Sequence, residues 1–465
     1  MVSASYDEAV TSMYALGYEL AQTPSQKFDL AHMRVLLEAL DHPEKQFPSV
    51  LIAGTNGKGS TAATLAAILE ASGLRTGLYT SPHLVRINER IRISDNKERS
   101  RGEIGDADFA SLHHSVEQVA SGLVERGKLP WHPSFFEMLT AIAFLYFAQQ
   151  KVDIAALEVG MGGRLDATNV VEPLVSVITD IALDHQRFLG DTITEIAREK
   201  AGIIRRAGVV VTLPQQPQAN DVIGNAILDA GARGVNAVPY VPPVSPGSPE
   251  YVQRDLVGDR MISRYPLQVM GKEIVIETPL VGRHQLRNVA LAIATAEQLA
   301  AQGFPVTAES IERGIRQTRW SGRFQIFHGP VLEDGTPQEC ILDVAHNPAG
   351  AWTLRSTLSA CYNQEERPLT FIFGAMRDKA IGEMAEILFP LADRVIATHV
   401  DNPRAATPEE IRVAAGRVAV NIEQAGNVSA AIKLAGKGSR TNSVTVITGS
   451  IYVVGEAMRV LGLKI

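Results

Sequence analysis

Cysteine is almost missing from this sequence: Cys340 and Cys361 are the only two in 465 residues. Two thiols build neither a disulfide framework nor a thiolate metal centre, so a reducing compartment is expected. Long apolar runs are missing as well. The longest, MLTAIAFLYFA at 138–148, is too short to cross a bilayer and reads as a buried helix. The first residues hold no apolar stretch of the signal-peptide kind, so the sequence predicts a soluble, cytoplasmic protein with no membrane partner. Positive charge is not in excess. A net charge of −7 argues against a nucleic-acid partner, whose phosphates demand clustered Lys and Arg. The short basic run at 86–92 fits a substrate carrying phosphates or carboxylates, or a solvated face of mixed charge. No low-complexity tract is present, and no internal repeat at a period of roughly 20–50 residues.

What remains is the composition of an ordinary globular chain, long enough for two cores. Short β-branched apolar runs alternate with helical patterns: SVLIAG (49–54), TGLYTS (76–81), VDIAALEVG (152–160), LVSVITDI (174–181) and GVVVTLP (208–214). Strands without polar alternation, spaced by helices, predict a parallel sheet covered on both faces. The proline-rich stretch 239–250 predicts a loop, 265–280 a small hairpin or meander, and 284–303 a periodic helix. A second series follows at 339–348, 369–376, 393–400 and 443–450. The fold class expected is α/β: a P-loop-type, mostly parallel sheet domain over 1–320, and a smaller Rossmann-like C-terminal α/β domain over 321–465. Ligands of such sheets sit at the carboxyl ends of the strands.

The stretch IAGTNGKGSTAATL (52–65) raises the functional question. A standard phosphate loop has a glycine, four free positions, then Gly-Lys-Ser/Thr. Here only two residues separate Gly54 from Gly57, and Gly59 stands between Lys58 and Ser60. A strand ends at Gly54 and a helix begins near Ser60, so glycines at 54, 57 and 59 can aim successive N–H groups into one concavity. The helix dipole favours an anion there, Lys58 can reach terminal phosphates, and the Ser60 hydroxyl suits Mg²⁺. The other reading is a glycine turn with an exposed lysine.

Neighbouring strand ends carry matching chemistry: Ser81 and His83, then Glu158, then Asp184 and His185. Ser60, Ser81 and Glu158 supply the hard oxygens Mg²⁺ prefers, and His185 can serve a second ion. A lone strand-end glutamate is more often simply solvated; residues of this kind at successive strand ends are harder to dismiss.

The series GTNGKGST, TSPHLVRINERIRI, LEVGMGGRLDATN, LDHQRFLG, REKAGI, GRHQLRN, SGRFQ and DVAHNP resembles that of the folylpolyglutamate synthase family, in its bacterial bifunctional dihydrofolate synthase/folylpolyglutamate synthase branch. The resemblance runs in order from about Asp29 to 458. The first motif fits the whole Mur-ligase superfamily, whereas SPHLVRINERI and GGRLDATN are more specific to folate ligases.

The resemblance implies an ATP-dependent ligase that joins L-glutamate to dihydropteroate or a reduced folate through an acyl phosphate. Its small-molecule substrates would be ATP, glutamate and the folate. Thr55, Asn56, Gly57, Lys58, Gly59 and Ser60 would hold the ATP phosphates. Ser60, Ser81, Glu158, His185 and Lys200 would hold two Mg²⁺ ions, with Lys200 N-carboxylated. Lys58, His185 and Lys200 would be the catalytic group. Asn288, Arg323 and Asp343 would contact ATP, which would then bridge the two domains, with closure part of the cycle. The pterin end would fall to Asp29–His32, Ser134–Glu137 and Leu165–Ala167. Among these Asp29, Phe136, Glu137, Leu165, Asp166 and Ala167 are the named candidates, although an aromatic pair such as Phe135–Phe136 usually packs a core. His346 and Ser450 would serve glutamate or phosphate. Where relatives commonly read close to DLGLERV, this chain reads DLAHMRV (29–35), which removes a glycine and an acid. The chain would act as a monomer. A monofunctional synthase, a Mur-type peptidoglycan ligase and a P-loop ATPase switch are the competing readings; SPHL and LDATN speak against the second.

Overall fold

A computed structural model of the chain describes residues 5–17, 29–95, 100–243, 252–255, 260–331, 337–362, 367–416, 418, 421–437 and 442–463. The proline-rich loop expected at 239–250 lies outside the described residues from 244 onward. The chain groups into two compact units: Met1–Pro242 with Pro266–Val275 and Arg287–Thr318, and Pro243–Tyr265 with Ile276–Leu286 and Arg319–Ile465. The segments 243–265 and 276–286 thus group with the C-terminal half, whereas the sequence reading gave all of 1–320 to the first domain.

The first unit is built on an eight-stranded sheet: β1 (Ser49–Ala53), β2 (Thr76–Tyr79), β3 (Ile91–Asp95), β4 (Ser100–Glu103), β5 (Ile154–Glu158), β6 (Val175–Ile178), β7 (Val209–Thr212) and β8 (Arg233–Asn236), in the order β4-β3-β2-β5-β1-β6-β7-β8. From β2 to β8 all neighbours are parallel. β1 and β5 are buried at every residue, as continuous apolar runs in a covered parallel sheet should be. β3 and β4 turn antiparallel at the edge. The alternation Ile91-Arg92-Ile93, with both isoleucines buried, is the period-two signature of such an edge.

The helices of this unit begin with α1 (Tyr6–Ala15), α2 (Leu30–Ala39), α3 (Lys58–Ala71), α4 (Asp106–Glu125) and α5 (Phe135–Gln149). Met13, Leu36, Phe109, Leu139, Phe144 and Phe147 of α1, α2, α4 and α5 share one core with Leu51, Ala53 and Leu157 of the sheet. α5 contains the run 138–148, and it is the buried helix expected. No described helix is long and apolar enough to cross a membrane. α6 (Gln186–Leu189), α7 (Ile193–Ala201), α8 (Pro217–Asp229), α9 (Arg283–Ala300) and α10 (Ala308–Gln317) follow.

α3 is alanine-rich and buried through almost its whole length, and α10 lies directly on it. A Cβ at Gly314 would stand 2.4 Å from Ile68 Cα and 2.7 Å from the Ala67 carbonyl oxygen. Both obstacles are backbone, so neither helix can yield locally. Gly314→Ala should cost about 1–3 kcal/mol, seen as a lower urea midpoint with an unchanged m-value.

β9 (Val252–Asp255), β10 (Arg260–Val269) and β11 (Lys272–Thr278) form a three-stranded sheet, which contains the hairpin or meander expected at 265–280. The second unit carries a six-stranded sheet: β12 (Gln325–Val331), β13 (Pro337–Leu342), β14 (Leu369–Phe373), β15 (Arg394–Ala397), β16 (Ile422–Gln424) and β17 (Val444–Thr448), in the order β12-β13-β17-β14-β15-β16. β12 is antiparallel and the others are parallel. Helices α11 (Pro348–Cys361), α12 (Ile381–Leu388), α13 (Pro408–Ala414), α14 (Val428–Gly436) and α15 (Ile451–Val460) complete it. The fold is therefore α/β throughout, with a large, mostly parallel sheet and a separate C-terminal sheet.

Candidate active site

Strand β1 ends at Ala53, and the chain then turns at Gly54 with φ +155°. A Cβ there would stand 1.8 Å from Thr179 Oγ1, so the loop lies directly on the end of β6. The Thr55 and Asn56 amides donate to the Asp180 carbonyl at 2.8 and 3.2 Å. The Thr55 hydroxyl donates to the Ala182 carbonyl at 3.0 Å, and Thr179 Oγ1 donates to the Asn56 carbonyl at 2.8 Å. Arg287 of α9 grips the Asp180 carboxylate through both Nε and a terminal nitrogen. The loop is fixed before any ligand arrives.

Gly57, at φ +90°, is the N-cap of α3, and no side chain caps that helix. The first N–H groups of α3 therefore point outward without intrahelical partners, beside the positive end of the dipole. A helix start of this kind suits an anion. Lys58 stands in the same turn, 3.4 Å from the Thr55 carbonyl and 4.0 Å from Glu158 Oε1, and Ser60 is buried two residues on. The left-handed positions are Gly54 and Gly57, whereas Gly59, which breaks the standard spacing, lies inside α3. A Cβ at Gly57 would stand 2.2 Å from Asn288 Oδ1. Gly57→Ala should weaken nucleotide binding by roughly tenfold or more through backbone strain of about 1–3 kcal/mol, measured by titration calorimetry with a non-hydrolysable ATP analogue. Adding Asn288→Ala should relieve the collision but not the strain.

Strand ends β2 and β5 meet beside this loop. Glu158 is buried, and its Oε2 accepts from the Ser81 amide at 3.2 Å. The Ser81 hydroxyl is buried with no hydrogen-bond partner. That orphan, next to a buried carboxylate and a lysine, suits a cation or phosphate. His185 adopts the left-handed conformation at the start of α6, and its Nε2 lies 3.9 Å from Asp184 Oδ2. Lys200, near the end of α7, is buried and donates to the Gly54 carbonyl at 2.7 Å. Burial and then repulsion from Lys58 push its pKa down to about 7, against the pull of Asp184 and Asp166. Among the described residues no cluster of three or more His, Cys, Asp or Glu side chains is arranged to hold a metal.

The basic run at 86–92 is not a solvated face. The Glu89 carboxylate accepts from the backbone amides of Leu84, Val85 and Arg86 at 2.7, 2.7 and 2.5 Å and so shapes the loop. Arg90 is buried; its Nε donates to His83 Nδ1 at 2.8 Å, and its guanidinium lies over the Phe135 ring. Burial, with Arg90 beside it, holds the His83 pKa well below the usual histidine range. The neutral ring then donates from Nε2 to the Tyr14 hydroxyl at 3.1 Å. Tyr14, Asp180 and Arg287 went unnoticed in the sequence because their partners lie far along the chain; Glu89 and Arg90 went unnoticed because a run of charges does not show that it turns inward onto its own loop, and only the cluster of charges around the SPHL segment hinted at them.

The acceptor candidates gather around the starts of α2 and α5 and the turn after β5. Asp29 caps α2 by accepting from the Ala31 amide at 2.8 Å. Phe136 is half-buried against Tyr79, and Gly160 lies so close to its ring that a Cβ there would stand 2.4 Å away. Glu137 Oε2 accepts from the Ser134 amide and hydroxyl, and Oε1 meets His32 Nδ1 at 3.0 Å. Asp166 accepts from the Thr168 amide and hydroxyl and from the Met161 amide. Burial raises its pKa, and those hydrogen bonds resist the rise. Leu165 is half-buried and Ala167 buried beside it. Both acids thus shape helix caps in addition to any ligand contact.

In the second unit, Asp343 follows β13 and accepts from the Phe324 and Ala345 amides, each at 2.9 Å. Burial raises its pKa against the pull of Arg323. His346 Nδ1 donates to the Val344 carbonyl at 2.9 Å, and Ser450 caps α15 by accepting from the Tyr452 amide. His284 is half-buried close to Gly282, and desolvation with Arg323 nearby pushes its pKa down to about 3.

Two family models match the chain: the Mur ligase middle domain over residues 114–296 and the Mur ligase glutamate ligase domain over 322–451. With the loop and strand ends described, they define an ATP-dependent ligase of the Mur type. The folylpolyglutamate synthase of Lacticaseibacillus casei is 35% identical over 441 residues, covering 92% of this chain and 94% of its own. The dihydrofolate synthase/folylpolyglutamate synthase of Bacillus subtilis is 33% identical, covering 92% and 93%. The folylpolyglutamate synthase of Mycobacterium tuberculosis, solved with ADP and AMPPCP, superposes with a TM-score of 0.82 at 31% identity over 99% of each chain. The chain belongs to the folylpolyglutamate synthase family.

Proposed function

We propose that the protein uses ATP to add L-glutamate to 7,8-dihydropteroate, making dihydrofolate, and to reduced folates, extending their glutamate chains. The observation that carries this reading is the uncapped start of α3, with Lys58 facing Glu158 and the orphaned Ser81 hydroxyl beside it. The acceptor carboxylate attacks the γ-phosphorus, ADP leaves, and an acyl phosphate forms. The glutamate amino group then attacks the acyl carbon, and inorganic phosphate departs. Such transfers need positioning and charge neutralisation more than covalent help from the protein. The α3 amides and Lys58 supply both.

Ser60, Ser81 and Glu158 would hold one Mg²⁺, and His185 with Lys200 a second. Bound there, the ions would neutralise the phosphate oxygens. The free Lys200 amine does not fit a metal ligand, because as a cation it repels the ion. Its carbamate does. With the pKa near 7, about half the amine is neutral at neutral pH, and it can add CO₂ with loss of one proton. Asn288, whose side chain lies against Gly57, would meet the nucleotide. The assignment of Arg323 and Asp343 to ATP, and of His346 and Ser450 to glutamate or phosphate, rests on the motifs. Asp29, Phe136, Leu165 and Ala167 would surround the acceptor ring. A monomer in the cytoplasm completes the reading, and free Cys340 and Cys361 suit that compartment.

The test is ADP release with Mg²⁺ and glutamate, comparing dihydropteroate with tetrahydrofolate. Release with both is expected. Release with tetrahydrofolate alone would leave a monofunctional folylpolyglutamate synthase, and release with neither would end the folate reading.

A further inference from the structure

The loop of residues 131–134 joins α4 to α5 and ends on Ser134, the N-cap of α5. Two histidines hold it, each between a glutamate and a loop carbonyl. His32 of α2 places Nδ1 3.0 Å from Glu137 Oε1 and Nε2 3.0 Å from the Trp131 carbonyl oxygen. His132 places Nε2 3.1 Å from Glu117 Oε1 of α4 and Nδ1 2.9 Å from the Pro133 carbonyl oxygen. A carboxylate and a backbone carbonyl only accept. A neutral imidazole carries one N–H, so it would leave one neighbour at each histidine facing a bare lone pair. Imidazolium satisfies all four contacts.

We propose that His32 and His132 are positioning residues: two imidazolium bridges that lock the 131–134 loop and hold the start of α5, with Phe135 and Phe136, in place for the acceptor folate. This rests on assigning the Ser134–Glu137 segment to acceptor binding. α2, α4 and α5 already share one core, so the bridges act on the loop and the start of α5 rather than on the packing of the helices. His32 is buried and its ring stacks on Trp131 at 5.6 Å between centroids. Glu137 is already fixed by the Ser134 amide and hydroxyl, so the His32 bridge fastens α2 to the cap of α5 itself.

The charged surroundings agree. Burial opposes the charge on His32, but Glu137, the Trp131 carbonyl and Asp29 outweigh it and raise the pKa above the ordinary value. Glu117 does the same for His132, against burial and with help from the Pro133 carbonyl and Glu137. From α4, His113 also faces Glu117; burial lowers its pKa, so it stays neutral where the other two are charged. The sign follows. Groups raised above the ordinary histidine value of about 6.5 contribute in full below it, and the contribution is lost as pH climbs through the raised values.

Acceptor KM measured from about pH 6 to 9 should rise roughly tenfold, the worth of a charge-assisted hydrogen bond. kcat, which Lys200 also moves with pH, and the KM for ATP should follow the same profile with and without the two histidines, so that the effect is confined to the acceptor KM. In His32→Gln/His132→Gln, which keeps amide donors but cannot titrate, the acceptor profile should be flat. Trp131 gives a readout without turnover: its emission should climb with pH as the stacked imidazolium loses its proton, and that step should vanish in His32→Gln. A double variant that keeps the wild-type KM profile overturns the proposal, as does an unchanged emission step in His32→Gln. If no folate acceptor supports turnover, the functional reading fails separately and the emission comparison alone decides the bridges. Should His32→Gln fail to fold, the more exposed His132→Gln carries the test, with half the KM change expected on a logarithmic scale and none refuting it.

Discussion

Lys58→Ala should lower kcat by roughly 10²–10³-fold, bringing ADP release near the floor of the assay. Lys58 lies in the first turn of an uncapped helix, 4.0 Å from the buried Glu158 carboxylate. Its removal takes one positive charge from the phosphate site and from beside Glu158. A second effect compounds the first. Lys58 is one of the groups that push the Lys200 pKa down, so its loss should return Lys200 towards its ordinary, charged state and disfavour the neutral amine. Circular dichroism should stay native, because the loop is fixed by Thr55, Asn56 and Thr179 contacts that do not involve the lysine. A variant with wild-type kcat would remove the phosphate site from this loop.

Lys200→Ala should cost about 10²-fold or more in turnover, the scale of losing a group that organises a metal or its partner. Formate, acetate or bicarbonate should restore part of it by supplying the missing anionic oxygen. Full activity without rescue would reject the carbamate. Stability offers a second reading in CO₂-free buffer. Unfolded Lys200 binds its proton up to about pH 10.4, whereas folded Lys200 loses it near 7. Between those values the unfolded chain holds more protons, so stability should rise with pH, and Lys200→Ala should flatten that rise. In CO₂-saturated buffer the wild-type slope should steepen, because forming the carbamate releases a further proton from the folded state, whereas the variant's slope should not change.

The central strands were legible because a parallel strand buried on both faces must be apolar at every position. SVLIA and LTFIF can be little else. The edge strands RGVN at β8 and IEQ at β16 were missed for the converse reason: they are largely exposed, and their residues carry no pattern. The site was half legible. Lys58, Ser60, Ser81 and Glu158 stand out because parallel topology gathers strand ends at one rim. The loop's backbone was misjudged: Gly59 broke the spacing and drew attention, yet the left-handed residues are Gly54 and Gly57. Which glycine bends backward depends on Thr179 and Asn288, which approach from far along the chain.

The sequence by itself determined the central parallel strands and their order along the chain, the glycine loop between strand and helix, and the family, since each is written in local pattern or short contiguous motif. The tertiary structure alone decided what the charged residues do. Glu137 becomes both a helix cap and the partner of a histidine 105 positions away. Arg90 turns inward to fix a neutral His83, and Lys200 loses most of its affinity for a proton. Burial and the company of other charges set the state of an ionisable group, and neither exists until distant segments pack.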